Sequence, residues 1–167
     1  MRAGCGALAL LAVLVGGAVL LPPGGRAASG TAVAPTPEAP EGVGNVDDLA
    51  PQLRRAVDRA LAAAAEAGVP LHVTSGWRSA AHQQVLYDAA VQKYGSAAAA
   101  RRWVLPPAES QHVQGLAVDV GPAAGATWLD TAGVRFGLCR RYDNEPWHFE
   151  RLAGAVGSTC PPRQPHA

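Results

Sequence analysis

The sequence predicts an α+β domain in which a small antiparallel sheet carries helices packed on one side. Apolar residues recur at helical spacing early in the chain, whereas short segments that alternate apolar and polar residues come later. The stretch with a globular composition runs from residue 45 to about residue 160, which suits one hydrophobic core and is too short for two. We therefore expect one domain with additional segments at both ends.

The N-terminal segment has the features of a signal peptide. One arginine precedes an uninterrupted run of small and apolar residues at 6–21, and more small residues follow at 27–29. The run is shorter than the ~20 residues that a membrane-spanning helix needs. We expect residues 1–28 to direct export from the cytoplasm, with an uncleaved N-terminal anchor as the alternative. Residues 29–44 are rich in Pro, Ala and Gly and are expected to form a linker.

The charge balance excludes several classes of partner. The chain has 14 Lys and Arg against 13 Asp and Glu. Without Arg2 and Arg26, 12 basic residues would stand against 13 acidic ones. This composition predicts neither a basic surface for nucleic acid nor a polybasic membrane patch after signal cleavage. Nothing in the sequence demands more than a monomer.

Three helices are expected before the predicted strand at 116–120. The first begins near Pro51, with capping and first-turn acids offered at 45–48, and ends before Gly68. Ser79 is expected to cap a second helix that runs to Tyr94 and ends at Gly95. A third helix is expected to begin at Ser96.

The expected strands lie at 71–74, 116–120 and 134–140. In the second of these, Leu116, Val118 and Val120 share one face, while Ala117 and Asp119 share the other. The apolar row can therefore enter the core while Asp119 projects into a cleft. Residues 121–127 are expected to be a short loop, followed by a helical turn at 128–132.

Four side chains in this region could form a catalytic zinc site. His112 and Asp119 flank a glycine before and within the predicted strand, and Glu145 and His148 lie further along the chain. Three N and O ligands leave one position of zinc open, and a fourth carboxylate can take the proton from an attacking water. The spacing alone does not establish a zinc site, because the sequence contains neither H-E-x-x-H nor C-x-x-C. Each of these residues could equally be structural.

Three motifs in this order resemble those of the zinc D,D-carboxypeptidases of the VanY type. Residues 110–119 match S-x-H-x-x-G-x-A-x-D, residues 145–149 read EPWHF, and SGWRS at 75–79 is similar to that family's S-G-Y-R-S. The resemblance spans roughly residues 46–150. It implies an α+β fold with the zinc site in a cleft on the sheet.

The resemblance also implies the roles of individual residues. Zinc (Zn²⁺) would be held by His112, Asp119 and His148. Glu145 would be the catalytic base and Arg78 would stabilise the developing oxyanion. The substrate would be a peptidoglycan stem peptide ending in D-Ala-D-Ala, which implies an extracytoplasmic protein associated with the cell wall. The expected substrate contacts are Ser110, Gln83 and Trp147.

Two departures from the family pattern concern the site. Trp77 replaces the tyrosine of S-G-Y-R-S, and Glu150 stands where a basic residue often follows W-H-F. Neither removes a zinc ligand or the base. We expect Glu150 to lie near the cleft and to disfavour an anionic peptide end.

Cys139 and Cys160 are the only thiols beyond the predicted signal peptide. Export to an oxidising compartment predicts a disulfide between them, with two free buried thiols as the alternative. Neither cysteine has a neighbouring base, which argues against a cysteine peptidase. Residues 161–167 are expected to be a flexible tail.

Other functions remain open at this point. The same zinc site could serve an L,D-carboxypeptidase or a cell-wall endopeptidase, because loops determine substrate choice. A non-catalytic, zinc-stabilised wall-binding module is a second alternative. A serine hydrolase using Ser75 or Ser110 would be a third, but the sequence has no G-x-S-x-G motif.

Overall fold

A computed structural model of the protein describes residues 46–152, 154, 157 and 159–167. The predicted signal peptide and linker lie outside these residues, as does Asn45, so those expectations stay predictions. Within the described part of the chain, no helix is both long and apolar enough to cross a membrane.

Four antiparallel strands form one sheet. These are β1 (His72–Ser75), β2 (Ala117–Gly121), β3 (Leu138–Arg140) and β4 (His148–Arg151). Their order in the sheet is β1-β2-β4-β3, so that β2 and β4 lie in the middle. The predicted fold class, α+β with a small antiparallel sheet, is confirmed.

The described helices precede and interrupt the strands. They are α1 (Pro51–Glu66), α2 (Ala80–Tyr94), α3 (Ala97–Ala100), α4 (Ala123–Ala132) and a 3₁₀ helix (Gly133–Phe136). Helices α1 and α4 contact the sheet and each other, whereas α2 and α3 pack together.

The hydrophobic core lies between the sheet and helices α1 and α4. Val118 of β2 is paired with Phe149 of β4, and both side chains are fully buried. Leu53 of α1 and Leu129 of α4 belong to the same cluster. Because side chains alternate along a strand, this burial directs the neighbouring residues of β2 and β4 to the opposite face.

Serine caps begin two of the helices as expected. The Ser79 hydroxyl accepts a hydrogen bond from the backbone N–H of His82, 3.1 Å away. Ser96 accepts in the same way from Ala99 at 3.2 Å. Gly95 ends α2 with φ +79°, a conformation that favours glycine.

The start of α1 differs from the sequence-based expectation. Ala50 occupies the N-cap position and supplies no side-chain cap. Asp47 instead forms an ion pair with Arg54, at 2.8 Å between Oδ1 and Nη1. The carboxylate therefore pairs with a charged side chain one turn into the helix and does not cap the helix. Pro51, at the first helical position, has no backbone N–H that needs a hydrogen-bond partner.

The segment after β2 also differs from the expectation. Residues 121–127 were expected to form a loop, but α4 begins at Ala123. The expected strand at 134–140 is reduced to β3, because Gly133–Phe136 form a 3₁₀ helix. Contacts with the core accompany both elements: Ala126 and Leu129 are buried on one face of α4, and Phe136 of the 3₁₀ helix packs against the same core cluster.

The C-terminal residues are tied to the sheet by the predicted disulfide and by hydrogen bonds. Cys139 and Cys160 are bonded in the structure. Residues 161–167, expected to be a flexible tail, lie against the segment that follows β3. The backbone N–H of Gln164 donates to the Arg141 carbonyl, and the Gln164 carbonyl accepts from Asp143, both at 2.8 Å.

Gly125 is required by the close approach of α4 to the segment between α1 and β1. A Cβ at this position would lie 2.4 Å from the Pro70 carbonyl oxygen and 2.9 Å from Leu71 Cδ1. Gly125→Ala should therefore lower the free energy of unfolding by about 1–3 kcal/mol, measured by denaturant unfolding. Gly154→Ala is the matched control, because a Cβ there meets nothing within 4 Å. Equal stability of the two variants would contradict this packing account.

Removal of the disulfide should destabilise the domain by about 3 kcal/mol, because the bond closes a loop between residues 21 apart in sequence. The test is thermal unfolding of wild type and of the double variant Cys139→Ala/Cys160→Ala. A reducing agent should lower the Tm of wild type and leave that of the double variant unchanged. A wild-type Tm insensitive to reduction would show that the bond contributes nothing.

Candidate active site

Strand register brings the first two candidate ligands together. Asp119 of β2 is paired directly with His148 of β4, on the face opposite the hydrophobic core. Asp119 Oδ1 lies 3.0 Å from His148 Nδ1. Both side chains are buried, so neither is solvated by bulk water.

His112 reaches the same point from the turn before β2. Backbone hydrogen bonds close this turn, and Gly115 ends it with φ +69°. The Nε2 atom of His112 lies 3.2 Å from both Asp119 Oδ1 and His148 Nδ1. The three ligand atoms therefore form a nearly equilateral triangle.

The orientation of the His112 ring is fixed from behind. Its Nδ1 lies 2.8 Å from the carbonyl oxygen of Gly76, which can only accept a hydrogen bond. The proton is therefore on Nδ1 and the lone pair of Nε2 points into the triangle. Burial lowers the pKa of His112, which favours the neutral form that binds metals.

The pKa of Asp119 reflects a balance of burial and charge. Burial alone would raise it, but the adjacent imidazoles of His112 and His148 outweigh burial and hold the pKa of Asp119 well below its usual range. The second carboxylate oxygen, Oδ2, accepts a hydrogen bond from Arg78 Nη2 at 2.6 Å. The carboxylate therefore stays ionised, with Oδ1 directed at the two histidines.

His148 lies between two carboxylates. Burial by itself would lower its pKa, but the carboxylates of Asp119 and Glu150 outweigh burial and raise the pKa of His148 to about 10. The raised pKa keeps His148 protonated on both ring nitrogens. A metal that binds Nδ1 would displace the Nδ1 proton, so metal uptake and proton release are coupled.

The triangle fits a zinc ion by both geometry and chemistry. Two ligands at zinc-bond lengths of ~2.0–2.1 Å and a tetrahedral angle lie about 3.3 Å apart, close to the separations of 3.0–3.2 Å found here. His112, Asp119 and His148 are also the group of metal-binding side chains that the described residues bring within reach of one ion. Two imidazoles and one carboxylate leave a fourth position open.

Glu145 is a buried carboxylate beside this triangle. Its Oε2 lies 3.9 Å from His148 Nδ1. Its Oε1 is buried and has no hydrogen-bond partner among the described residues. Burial raises the pKa of Glu145 to about 7, although the positive charge of His148 opposes that shift. A carboxyl group with such a pKa can take and return a proton near neutral pH.

Arg78 is held by three side chains at once. Its Nε donates to Ser75 Oγ at 3.0 Å, its Nη1 to Gln83 Oε1 at 3.3 Å and its Nη2 to Asp119. Gln83 in turn donates to the Leu105 carbonyl at 2.7 Å. Both ends of the Gln83 amide are thus engaged within the protein, and the guanidinium is fixed beside the ligand triangle.

A cleft of about 160 Å³ opens onto the triangle. Ser110 and Trp147, two expected substrate contacts, line it, and so do Arg78, Gln83 and Glu145. Leu86, Trp103, Val104 and Leu105 add an apolar wall. A ligand in the cleft would therefore meet charged groups at the triangle and apolar groups along this wall.

The structure adds residues that motif reasoning did not single out. Tyr142 lines the cleft and its ring packs against His148, with centroids 5.5 Å apart. Burial raises the pKa of Tyr142 to about 12, so the hydroxyl keeps its proton. Gly76 and Ser75 orient His112 and Arg78. Ser75 and Gly76 lie within the SGWRS motif, which assigned them no such role, and the only local signal for Tyr142 was its position three residues before EPWHF.

Glu150 lies beside a residue that lines the cleft, but its carboxylate points away from the ligand triangle. Its carboxylate points to His148 Nε2 and to Arg141 Nε, both at 3.5 Å, on the side of the imidazole away from the ligand triangle. Because β4 places residues 148 and 150 on one face, Glu150 lies behind a ligand and outside the cleft lining. Glu150 thus lies near the cleft without lining it, and its expected effect on an anionic peptide end stays a prediction.

Comparison with known proteins identifies the family. A profile of the VanY family, described as D-alanyl-D-alanine carboxypeptidase, matches residues 47–153. The chain is 36% identical over 124 residues to a D-alanyl-D-alanine carboxypeptidase of Enterococcus faecalis, covering 59% of this chain and 45% of that protein. The chain thus spans about half the length of the curated relatives it matches.

Solved structures give the same result. A mutant of the D,D-pentapeptidase VanY from a VanB-type resistance cassette, in complex with Zn(II), is 30% identical with a TM-score of 0.59, covering 65% of this chain and 74% of that one. VanYB in complex with D-alanine-D-alanine has a TM-score of 0.60 at 30% identity, with 65% and 73% covered. DacB, an L,D-carboxypeptidase from Streptococcus pneumoniae, has a TM-score of 0.54 at 28% identity, with 71% and 72% covered.

The family profile covers more than half of the chain and includes every residue of the triangle, the cleft carboxylate Glu145 and the buried Arg78. The chain therefore belongs to the VanY family of D-alanyl-D-alanine carboxypeptidases.

Proposed function

We propose that the protein is a zinc-dependent D-alanyl-D-alanine carboxypeptidase that removes the terminal D-alanine from peptidoglycan stem peptides. One observation carries the proposal: a buried carboxylate, Glu145, has an unpartnered oxygen beside three ligand atoms arranged for one zinc ion. A merely structural zinc site has no use for such a group. The relatives with known zinc and D-Ala-D-Ala complexes support it.

Each side chain then has a defined task. Zinc, when bound, would polarise the scissile carbonyl and lower the pKa of an attacking water. Glu145 takes the proton of that water and later returns it to the amine of the departing D-alanine, so that the protons balance.

Arg78 and the cleft residues act on the substrate. The fixed guanidinium of Arg78 stabilises the negative charge that develops on the attacked carbonyl oxygen. Arg78 Nη2 also donates to Asp119 Oδ2 at 2.6 Å, so the guanidinium keeps this carboxylate oriented while Asp119 neutralises part of the positive charge of Arg78. Ser110 orients the terminal carboxylate of the peptide, Trp147 forms a wall, and Gln83 acts mainly by holding Arg78.

The setting follows from the substrate. Peptidoglycan lies outside the cytoplasm, so the proposed activity requires export, for which residues 1–28 are the proposed signal. The enzyme would then act as a monomer at the cell wall. The disulfide between Cys139 and Cys160 agrees with an oxidising compartment.

An L,D-carboxypeptidase is the second candidate, favoured by the structural similarity to DacB. It would use the same triangle and the same Glu145, but would accept a tetrapeptide with a single terminal D-alanine. The two candidates therefore differ in the cleft and not in the chemistry.

The deciding experiment is mass spectrometry of muropeptides incubated with the protein. A pentapeptide ending in D-Ala-D-Ala should lose one alanine in the presence of zinc and remain intact with a chelator. A tetrapeptide substrate and cross-linked wall are included in parallel. Cleavage of the tetrapeptide alone would replace the D,D assignment by the L,D one, and cleavage of cross-links would indicate an endopeptidase.

Glu145→Gln should separate catalysis from metal binding. The amide cannot accept the proton, so turnover should fall by about 10²–10⁴-fold, while zinc affinity stays near that of wild type. Turnover is measured on the pentapeptide and zinc binding by competition with a chromophoric chelator. Glu66→Gln, at the exposed end of α1, is the matched control and should be neutral in both assays.

Full activity of Glu145→Gln would contradict the role of Glu145 as the catalytic base. An inactive wild type that binds zinc tightly and unfolds when zinc is removed would favour the non-catalytic wall-binding module instead. His148→Ala, which removes a ligand, should lose both zinc binding and turnover.

A further inference from the structure

Glu150 occupies a buried position in the middle of the sheet. It is the third residue of β4 and is paired with Ala117 on β2 and with Cys139 on β3. Its exposed fraction is 7%. A carboxylate so deeply placed is costly unless nearby groups compensate its charge, so its neighbours are informative.

The first neighbour is the ligand His148. Nδ1 of its ring belongs to the ligand triangle, and Nε2, on the other side of the ring, lies 3.5 Å from Glu150 Oε1. Oε1 is buried and forms no hydrogen bond within the described part of the chain. An imidazole that offers the Nδ1 lone pair to a metal must carry its proton on Nε2, and Glu150 Oε1 is the acceptor that faces that proton.

The second neighbour is a cation. Arg141 Nε lies 3.5 Å from Glu150 Oε2, so the two oxygens of the carboxylate face different partners. The Arg141 guanidinium also donates from Nη1 to the Pro162 carbonyl at 3.4 Å, and its backbone carbonyl accepts a hydrogen bond from Gln164. Tyr142 packs against the His148 ring and restricts its rotation. The carboxylate is thus held from one side while it faces His148 on the other.

We infer that Glu150 is a positioning residue that accepts a hydrogen bond from His148 Nε2–H and thereby directs Nδ1 to the metal, with Arg141 holding the carboxylate in place. The distance of 3.5 Å exceeds a hydrogen bond by a few tenths of an ångström, which a small torsional change of the glutamate closes. The inference rests on the zinc site of the proposed function, and it does not depend on which peptide bond is cleaved.

The experiment compares zinc affinity in Glu150→Gln and Glu150→Met. Both variants remove the charge beside Arg141, so the difference between them isolates the hydrogen-bond acceptor. Glu150→Met should bind zinc about 10–100-fold more weakly than wild type, as found when partners of metal-binding histidines are removed. Glu150→Gln, whose amide oxygen still accepts from Nε2–H, should recover most of that loss. Binding is measured by competition with a chromophoric chelator.

A second readout reports on ligand geometry. The visible absorption spectrum of the cobalt(II) form should change in Glu150→Met and match wild type in Glu150→Gln. Thermal unfolding of the metal-free variants shows whether each one folds, and only folded variants enter the comparison. If Glu150→Met does not fold, Glu150→Gln is compared with Arg141→Met instead. Arg141→Met should then bind zinc more weakly than Glu150→Gln, because the Glu150 carboxylate is no longer held in place.

Two results would overturn the inference. One is zinc binding by folded Glu150→Met as tight as that of wild type, and the other is equal weakening in the Gln and Met variants. Failure of the proposed reaction has a different signature, namely tight zinc binding by wild type with an unchanged pentapeptide. The metal-affinity series therefore decides the role of Glu150 whether or not the peptide is cleaved.

Discussion

The pairing of β2 with β4 is the constraint on which the site depends. It places Asp119 directly opposite His148 and, one residue along, Val118 opposite Phe149. The same register thus buries the apolar pair under α1 and α4 and presents the two ligands on the other face. A slip of one residue would exchange the faces and lose core and site together, so the free energy of core packing also fixes the positions of the candidate metal ligands.

The site is an arrangement of buried charges that compensate one another. One carboxylate oxygen of Asp119 accepts a hydrogen bond from Arg78, and the other faces the two imidazoles. His148 lies between Asp119 and Glu150. Each of these charges would be costly alone in the sheet, but each has an opposite charge or a donor within about 3.5 Å. Glu145 is the exception, because its carboxylate lies 3.9 Å from His148 Nδ1 and burial raises its pKa.

Much of the rigidity of the site comes from the backbone. The Gly76 carbonyl fixes the tautomer of His112, and the turn at 110–115 fixes where that ring enters the cleft. Arg78 is held by Ser75 and Gln83 before any substrate arrives. A preorganised site of this kind does not have to reorganise its dipoles as charge develops on a substrate.

The sequence by itself determined the features that depend on neighbours in the chain. Ser79 and Gly95 marked the ends of α2, the alternation around Asp119 indicated a strand with one polar face, and the three motifs indicated the family. Only the tertiary structure decided that residues 123–127 are helical, that Arg78 binds Asp119, and that Glu150 lies behind His148. The physical reason is that these features depend on strand register and on packing between residues far apart in sequence, and neither is encoded in local spacing.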